Sequence, residues 1–430
     1  MMMGGAAAAL FASLLPNTVM TAEAADLEVD AEASITVDFE TGQILQGDDI
    51  DTQLGIASMT KMIAEYIVFE EIEAGNLSWD TEITISQYAY EISQDYALSN
   101  VPLRNGGVYT LEELYESVAI YSANGATIAI AEHISGSEPA FVDRMIETVE
   151  SFGIEDAFLV NSTGLNNNHL GGRVYPGSGE SDENMMSTRS SAIIAYRILT
   201  DYPEILEIAS IPEKTFRPET VDAITMQNWN WMLPGLLYER ENVDGLKTGT
   251  TTFAGSTFTG TAEENGRRLI TVVLNSGDDQ FTRFLETARM MDYGFDQFEM
   301  ANVTDSWDEV LEYEPLTVTN GKEETVDFEP SETLEMLVHI GDELTEELTY
   351  TIEWNPAIVT DEGTVEAPFD AGLELGRLVV DYAGNEHGNL MEEEVTSVPL
   401  VTTAGVEKAN VLVQAWNWVV SMFDSILSRF

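Results

Sequence analysis

The sequence predicts an α+β fold made of two domains and a terminal helix. Strand signals stand at both ends of the region before residue 300, and helical signals lie between them. From residue 302 to residue 401, short alternating stretches are separated by Gly, Pro, Asn and acidic turns. We therefore expect an antiparallel sheet with an inserted helical subdomain, then a small all-β domain and a C-terminal amphipathic helix.

Two hairpins frame the first domain. Residues 35–39 alternate between apolar and polar side chains, and residues 40–42 can turn the chain back into a second strand at 43–45. Residues 256–262 and 268–274 flank a turn that contains the pair Asn-Gly, which is typical of hairpins. Both hairpins are expected to belong to the same sheet.

Helical patterns fill the middle of this domain. A capping box formed by Thr110 and Glu113 opens one of the helices. Gly75 is expected to end the first helix and Gly294 the last. The predicted helices span residues 58–74, 111–119, 126–134, 141–151, 188–199 and 281–293.

Both termini carry targeting signals. The small apolar run at residues 4–15 precedes an A-x-A pattern at Ala22, Glu23 and Ala24, which predicts a signal peptide over residues 1–25. No Lys or Arg precedes this run, so an Ala-rich disordered terminus is the alternative.

Residues 404–430 form a strongly amphipathic pattern with two tryptophans. The pattern predicts an anchor helix that lies in the outer headgroup layer of the cell membrane. A helix packed on its own domain is the alternative. Between the termini we place the α+β domain at 26–298 and the β-rich domain at 299–403.

Charge and composition exclude several functions. The chain of 430 residues has 76 acidic and 18 basic residues and a net charge of −58, which disfavours nucleic acid as a partner. Such charge suggests a halophilic or salt-tolerant source, because salt screens the self-repulsion. The chain has no cysteine, and its four histidines are far apart in the sequence. No metal and no cofactor are therefore expected.

Three short motifs carry the chemistry. They are Ser58-Met59-Thr60-Lys61, Ser122-Ala123-Asn124 and Lys247-Thr248-Gly249, in this order. Each is weak alone, since it could be a helix cap, a turn or a strand end. The chain has only five lysines, and two of them fall inside these motifs. Together, the motifs predict a catalytic site.

The first motif predicts a nucleophile and its base. Ser58 and Lys61 are three residues apart at a helix start, so the two side chains can meet. A serine hydroxyl needs a base to take its proton. Lys61 can act as that base only if its pKa falls, which the helix end, burial and the charge of Lys247 all favour. The backbone N–H of Ser58 can stabilise a developing oxyanion.

The other two motifs predict groups that bind the substrate and move protons. Ser122 can relay a proton to the leaving amine, and Asn124 can orient the substrate backbone. Lys247 and Thr248 would bind a substrate carboxylate. Gly249 leaves room for an extended substrate beside the strand, and the N–H of Thr250 could be the second oxyanion donor.

These motifs resemble those of the penicillin-recognising serine enzymes. Four flanking segments, 57–61, 161–165, 201–206 and 243–249, look like those of the low-molecular-mass D-alanyl-D-alanine carboxypeptidases. The resemblance covers roughly residues 30–296, and the β-rich region and terminal helix are similar to that family's second domain and membrane anchor. It implies the penicillin-recognising, β-lactamase-like fold for the catalytic domain.

The resemblance also implies an activity. Ser58 would be acylated, with Lys61 as general base, Ser122 as the third catalytic residue and Lys247 as a substrate-binding residue. The reaction would remove the terminal D-alanine from a peptidoglycan pentapeptide, and β-lactams would acylate the same serine. The enzyme would act in cell-wall maturation as a secreted, peripheral protein at the extracytoplasmic face of the membrane.

Three positions match the family less well. Arg283 is a weaker candidate for carboxylate binding, and an exposed helix arginine is the favoured interpretation. Ile56 stands where the family commonly has proline, and Gly125 stands where aspartate often follows the asparagine of the second motif. Neither change removes a reactive group.

Three alternatives remain open from the sequence. A β-lactamase of class A would need an additional glutamate motif, which is not found between the second and third motifs. A D,D-endopeptidase or transpeptidase would use the same residues. An inactive wall-binding protein would not need intact Ser58, Lys61, Ser122 and Lys247.

Overall fold

A computed structural model describes residues 27–410 except residues 278, 312 and 392–395. The predicted signal peptide lies outside the described residues, and so do residues 411–430 of the predicted anchor helix. The prediction of a helix is wrong for residues 404–410, because Val406 and Lys408 form β-bridges with Phe369 and Gly321 of the second region. In the described part of the chain, every helix is too short or too polar to cross a lipid bilayer.

The strands up to residue 276 fall into one main sheet and several small pairs. They are β1 (Ala31–Asp38), β2 (Ile44–Asp48), β3 (Leu54–Gly55), β4 (Glu82–Thr84), β5 (Val108–Thr110), β6 (Met185–Met186), β7 (Glu213–Phe216), β8 (Ile224–Gln227), β9 (Val243–Thr251), β10 (Gly255–Glu264) and β11 (Arg267–Ser276).

The helices of the same region lie between β2 and β9, except for the last. They are α1 (Lys61–Glu73), α2 (Gln87–Ser93), α3 (Leu111–Tyr121), α4 (Asn124–Ser135), α5 (Glu138–Ser151), α6 (Thr188–Asp201), α7 (Leu206–Ala209) and α8 (Thr282–Asp296). Short 3-10 turns span Ala57–Thr60, Asn167–Leu170 and Pro203–Ile205.

The main sheet joins the two ends of this region, as predicted. Its strand order is β2-β1-β11-β10-β9, and every neighbouring pair is antiparallel. Both predicted hairpins belong to it. The turn between β10 and β11 places Asn265 and Gly266 at positive φ, as a two-residue hairpin turn requires. The order brings the first strand next to the last, so the helices form an insertion.

The helices build a large apolar core against this sheet. One buried cluster contains side chains of α1 to α6 together with apolar residues of β1 and β11. The predicted capping box opens α3, because Thr110 accepts from the Glu113 N–H at 3.2 Å and Glu113 accepts from the Thr110 N–H at 3.1 Å. The α+β class is confirmed.

The predicted end of the last helix at Gly294 is wrong. Helix α8 continues to Asp296, and Gly294 lies inside it with no left-handed φ. A Cβ at this position would come within 2.7 Å of Leu269 Cδ1, so the residue serves the close approach of α8 to the sheet.

The second region is mostly β-structure around its own core. Its elements are β12 (Phe298–Asn302), α9 (Trp307–Val310), β13 (Leu316–Thr319), β14 (Thr325–Val326), β15 (Phe328–Pro330), β16 (Glu335–His339), α10 (Leu344–Glu347), β17 (Leu348–Trp354), β18 (Thr364–Glu366), β19 (Glu374–Tyr382) and β20 (Ser397–Thr402). A four-stranded sheet of order β15-β20-β19-β17 and a three-stranded sheet of order β14-β13-β18 provide most of the core.

Candidate active site

The turn at Ala57–Thr60 and the start of α1 bring Ser58 and Lys61 together. Ala57 has a φ of 45°, a left-handed conformation that non-glycine residues rarely adopt. This turn directs the half-buried Ser58 toward the end of the buried Lys61 side chain. Lys61 Nζ lies 2.9 Å from Ser58 Oγ. The contact that the three-residue spacing predicts is therefore present.

Lys61 has two further partners that fix its amine. Its Nζ donates to Asn124 Oδ1 at 2.9 Å and to the Thr163 carbonyl at 2.7 Å. A neutral amine has two N–H donors, and these two acceptors satisfy both of them. The remaining lone pair can then face the Ser58 hydroxyl. The geometry suits an amine that accepts a proton from serine.

Ser122 and Lys247 form a second pair beside the first. Ser122 ends α3 in a left-handed conformation with a φ of 57°, and its side chain is buried. Lys247 Nζ donates to Ser122 Oγ and to the Thr248 carbonyl, both at 3.0 Å. Lys247 lies on β9, so the sheet edge meets the helical subdomain here.

The two lysines have lowered pKa values because they are buried. Burial lowers the pKa of Lys61 well below its usual value, and the charge of Lys247 lowers it further. Burial also lowers the pKa of Lys247, an effect that nearby Glu65 opposes and Arg283 reinforces. A neutral Lys61 next to Ser58 is the form that general-base catalysis needs.

Sequence reasoning missed Glu65, one turn after Lys61 on α1. It is 5% exposed, and its Oε1 has no hydrogen-bond partner among the described residues. Burial raises the pKa of this carboxyl, while the charges of Lys247 and Lys61 lower it. A signal was present, because Glu65 is the lone acid in the apolar run 62–69.

Ser58 lines a cleft with a volume of about 270 Å³, which we call the active-site pocket. Seven of the predicted site residues line it, namely Ser58, Ser122, Asn124, Thr248, Gly249, Thr250 and Arg283. Lys61 and Lys247 lie behind this surface and reach it through Ser58 and Ser122. The structure thus brings all nine predicted residues together.

Close packing also requires a glycine at position 249, in addition to the predicted need for room beside the substrate. A Cβ at this position would lie 2.7 Å from the Ile56 carbonyl oxygen and would collide with Thr257 Oγ1. The glycine therefore lets β9 pack closely against the turn that carries Ser58.

The interpretation of Arg283 as an exposed helix arginine is wrong. The residue is 4% exposed, and its Nη1 donates to the Gly249 carbonyl at 2.7 Å and to Thr250 Oγ1 at 2.8 Å. Helix α8 packs against the sheet so that this side chain points toward β9. The sequence could not show this, because it depends on how α8 docks.

A buried loop that follows α5 supports Lys61 from behind. Asn161 Oδ1 accepts from the N–H of Thr163 at 3.1 Å and of Gly164 at 2.7 Å. Glu138 Oε1 accepts from Ser162 Oγ at 2.7 Å, which ties the loop to α5. Segment 161–165 resembles the family in sequence, but its role in holding the Thr163 carbonyl was not predicted.

Comparisons with known proteins identify the family of the chain. A family model described as D-alanyl-D-alanine carboxypeptidase matches residues 18–278, more than half of the chain. The chain belongs to the D-alanyl-D-alanine carboxypeptidase family. The D-alanyl-D-alanine carboxypeptidase DacC of Escherichia coli is 27% identical over 430 residues, which cover 98% of this chain and 96% of that protein. DacF of Bacillus subtilis is 25% identical over 362 residues, 84% of this chain and 83% of that one.

Solved structures of this family have the same fold. Penicillin-binding protein PBP3 of Streptococcus pneumoniae, described as a peptidoglycan synthesis regulatory factor, is 35% identical with a TM-score of 0.67, over 89% of this chain and 100% of that one. Penicillin-binding protein D2 of Listeria monocytogenes, solved with bound cefotaxime, is 26% identical with a TM-score of 0.52, over 63% of this chain and 99% of that one.

Proposed function

We propose that this carboxypeptidase cleaves the terminal D-alanine from peptidoglycan stem peptides through an acyl-enzyme at Ser58. The observation that carries the proposal is the buried Lys61 amine, which lies 2.9 Å from Ser58 Oγ and has both N–H donors satisfied elsewhere. A lysine in this state can act as a base near neutral pH.

Acylation begins when Ser58 Oγ attacks the carbonyl carbon before the terminal D-alanine. Lys61 Nζ takes the hydroxyl proton and becomes an ammonium whose three N–H groups face Ser58, Asn124 and Thr163. The backbone N–H groups of Ser58 and Thr250 stabilise the oxyanion. The C–N bond then breaks and leaves an ester on Ser58.

The leaving amine needs a proton, and Ser122 is placed to deliver it. The Ser122 hydroxyl lies 3.0 Å from Lys247 Nζ, which can replace the proton that Ser122 gives. The Lys61 ammonium then loses its proton to solvent and Lys247 regains one, so both amines return to their starting states. Water attacks the ester, Lys61 takes a proton from it, and the Lys61 ammonium returns this proton to Ser58 Oγ as the ester C–O bond breaks. Together, these steps hydrolyse one peptide bond.

The terminal carboxylate of the substrate needs cationic or hydroxyl partners within the cleft. We assign this role to Lys247, Thr248 and Arg283. Arg283 keeps its charge, since burial lowers its pKa only to about 10. Arg283 also lines the active-site pocket, so its guanidinium can meet the substrate carboxylate.

We also propose domain limits and a location. Separate apolar cores support a catalytic domain at 26–298 and a β-rich domain at 299–403, which we interpret as a spacer. The substrate lies outside the cytoplasmic membrane, so we place the enzyme at the extracytoplasmic face. The amphipathic sequence pattern of residues 411–430 supports attachment to the membrane surface, with 1–25 as the signal peptide.

Fluorescent penicillin tests this proposal. The parent protein and a Ser58→Ala variant are incubated with the reagent in high salt and separated on a denaturing gel. We expect label on the parent only, together with D-alanine release from a pentapeptide. Antibiotic consumption without stable label would indicate a β-lactamase, and a folded parent with neither activity would indicate a wall-binding protein.

A further inference from the structure

A second pocket opens beside the active-site pocket and is left unused by the mechanism above. We call it the side pocket; it has a volume of about 410 Å³, and its walls include Asn166, Asn168, His169, Glu183, Thr251 and Phe253. It shares Ala97, Leu98, Leu165 and Thr250 with the active-site pocket, so the two form one continuous cleft. A volume of this size can hold a whole side chain.

The side pocket lies where the upstream part of a stem peptide would pass. Arg283 and Ser122 line the active-site pocket and are absent from the walls of the side pocket, which follow β9 beyond Thr250. We expect a substrate whose terminal carboxylate meets Thr248 and Arg283 to continue along β9, so that its earlier residues run toward Thr251 and Phe253.

Glu183 gives the side pocket a buried negative charge. The residue is 4% exposed, and its oxygens accept from Thr251 Oγ1 at 2.6 Å and from Asn166 Nδ2 at 3.1 Å. Both donors are neutral, and no ion pair among the described residues includes Glu183. Each carboxylate oxygen retains a further acceptor position.

A buried charge is costly unless an opposite charge compensates it. Among the walls of the side pocket, Glu183 is the one carboxylate of the described residues, and no lysine or arginine is present there. Phe253 is 56% exposed, so its ring offers an apolar surface at the same site. Methylene groups that end in an ammonium match both features, since the stem packs on apolar surface and the charge meets the carboxylate.

We propose that the side pocket is a specificity subsite for an amine-bearing side chain of the stem peptide, upstream of the terminal D-alanyl-D-alanine. Glu183 is the counter-ion of the ammonium, and Phe253 packs against the methylene groups. The subsite selects peptides whose side-chain amine is free over those in which it is acylated. This inference rests on the proposed carboxypeptidase function.

Two peptides test the subsite on the parent protein. Both are L-lysyl-D-alanyl-D-alanine blocked at the α-amine, and they differ in a free or an acetylated ε-amine. We expect kcat/KM for D-alanine release to be about tenfold higher for the free-amine peptide than for the acetylated one. One hydrogen bond to a charged group contributes a factor of about this size. The assay is run in molar salt, because salt screens the field of the acidic surface more than a buried contact.

Glu183→Gln removes the charge and keeps the shape. We expect this variant to lose the preference, mainly through a higher KM for the free-amine peptide, while the acetylated peptide is unaffected. Glu180→Gln is the matched control, since Glu180 is exposed on the same loop and outside the walls of both pockets. Labelling of Ser58 by penicillin at the parental rate verifies that the Glu183→Gln site is intact.

The outcomes separate this inference from the proposed function. Equal kcat/KM for both peptides on the parent overturns the subsite, whether or not the variant folds, while D-alanine release still supports the carboxypeptidase. A preference that survives in a Glu183→Gln variant with an intact site also overturns it. No D-alanine from either peptide contradicts the proposed function itself.

Discussion

Replacement of Glu65 by glutamine should shift the pH dependence of the reaction. The Glu65 carboxylate raises the pKa of both Lys61 and Lys247, against the effect of burial. Glu65→Gln removes this contribution and lowers both pKa values. Lys61 must be neutral to act as a base, and Lys247 must be protonated to bind a carboxylate. Both limbs of the pH profile should therefore move to lower pH.

The structure also predicts which limb moves more. Side chains four residues apart on a helix are about 6 Å apart, and at an effective dielectric constant of about 20 one charge then contributes about 3 kcal/mol. That energy corresponds to about two pH units as an upper value. Burial raises the pKa of Glu65, so its carboxyl carries more charge on the alkaline side. The acid limb, which Lys61 sets, should therefore shift by less than this upper value, whereas the alkaline limb, which Lys247 sets, lies where Glu65 carries more charge and should shift further.

The measurement is kcat/KM for D-alanine release as a function of pH, which reports the free enzyme. Glu112→Gln is the control, because Glu112 is exposed on α3, away from the two lysines. Its profile should match the parent. An alkaline limb that stays in place or moves to higher pH in Glu65→Gln would refute the electrostatic role of this carboxylate.

Three further predictions concern stability and assembly of the site. Glu138→Ala should lower the free energy of unfolding, measured by chemical denaturation, by about 2–4 kcal/mol and should reduce kcat, because the Ser162 loop loses a buried acceptor. The control Glu147→Ala, at an exposed position on α5, should change neither quantity. Gly164→Ala should abolish penicillin labelling, since its Cβ would collide with the backbone before Ser58, whereas Gly172→Ala, with similar φ and open space, should keep it. The Tm of the parent should rise from low to molar salt, because 76 acidic groups repel one another; a flat titration would contradict the halophile hypothesis.

Elements with short-range signals were predictable from the sequence. The capping box at Thr110 and the turn at Asn265 and Gly266 depend on hydrogen bonds and φ values within four residues, so local residue types determine them. The Ser58–Lys61 contact is equally local, since residues three apart at a helix start share one face and can meet.

Features that depend on docking could not be predicted. The rule that glycine ends a helix failed at Gly294, because its small size is needed where α8 packs on Leu269. Arg283 reads as an ordinary helix arginine until α8 is placed against β9 and β10. In both cases the deciding neighbour is distant in the sequence or lies on another element, and one sequence carries no record of it.

The acidic composition makes the isolation of the two lysines chemically important. A carboxylate in contact with Lys61 would raise its pKa and keep it protonated, which would stop it acting as a base. The surface lysines Lys214 and Lys322 do contact carboxylates, those of Glu116 and Glu407. Among the described residues, neither Lys61 nor Lys247 forms an ion pair, and their acceptors are neutral oxygens.

Glu65, whose charge acts on both lysines, is itself buried. Burial raises the pKa of its carboxyl, so the residue is charged less of the time. Burial thus does two things at once: it lowers the pKa of Lys61 directly and separates it from the surface carboxylates. In a protein of net charge −58, a solvent-exposed lysine would gain a carboxylate partner readily. A reactive amine is therefore compatible with this composition because the core encloses it, and variants that admit water to Lys61 should lose activity before they lose the fold.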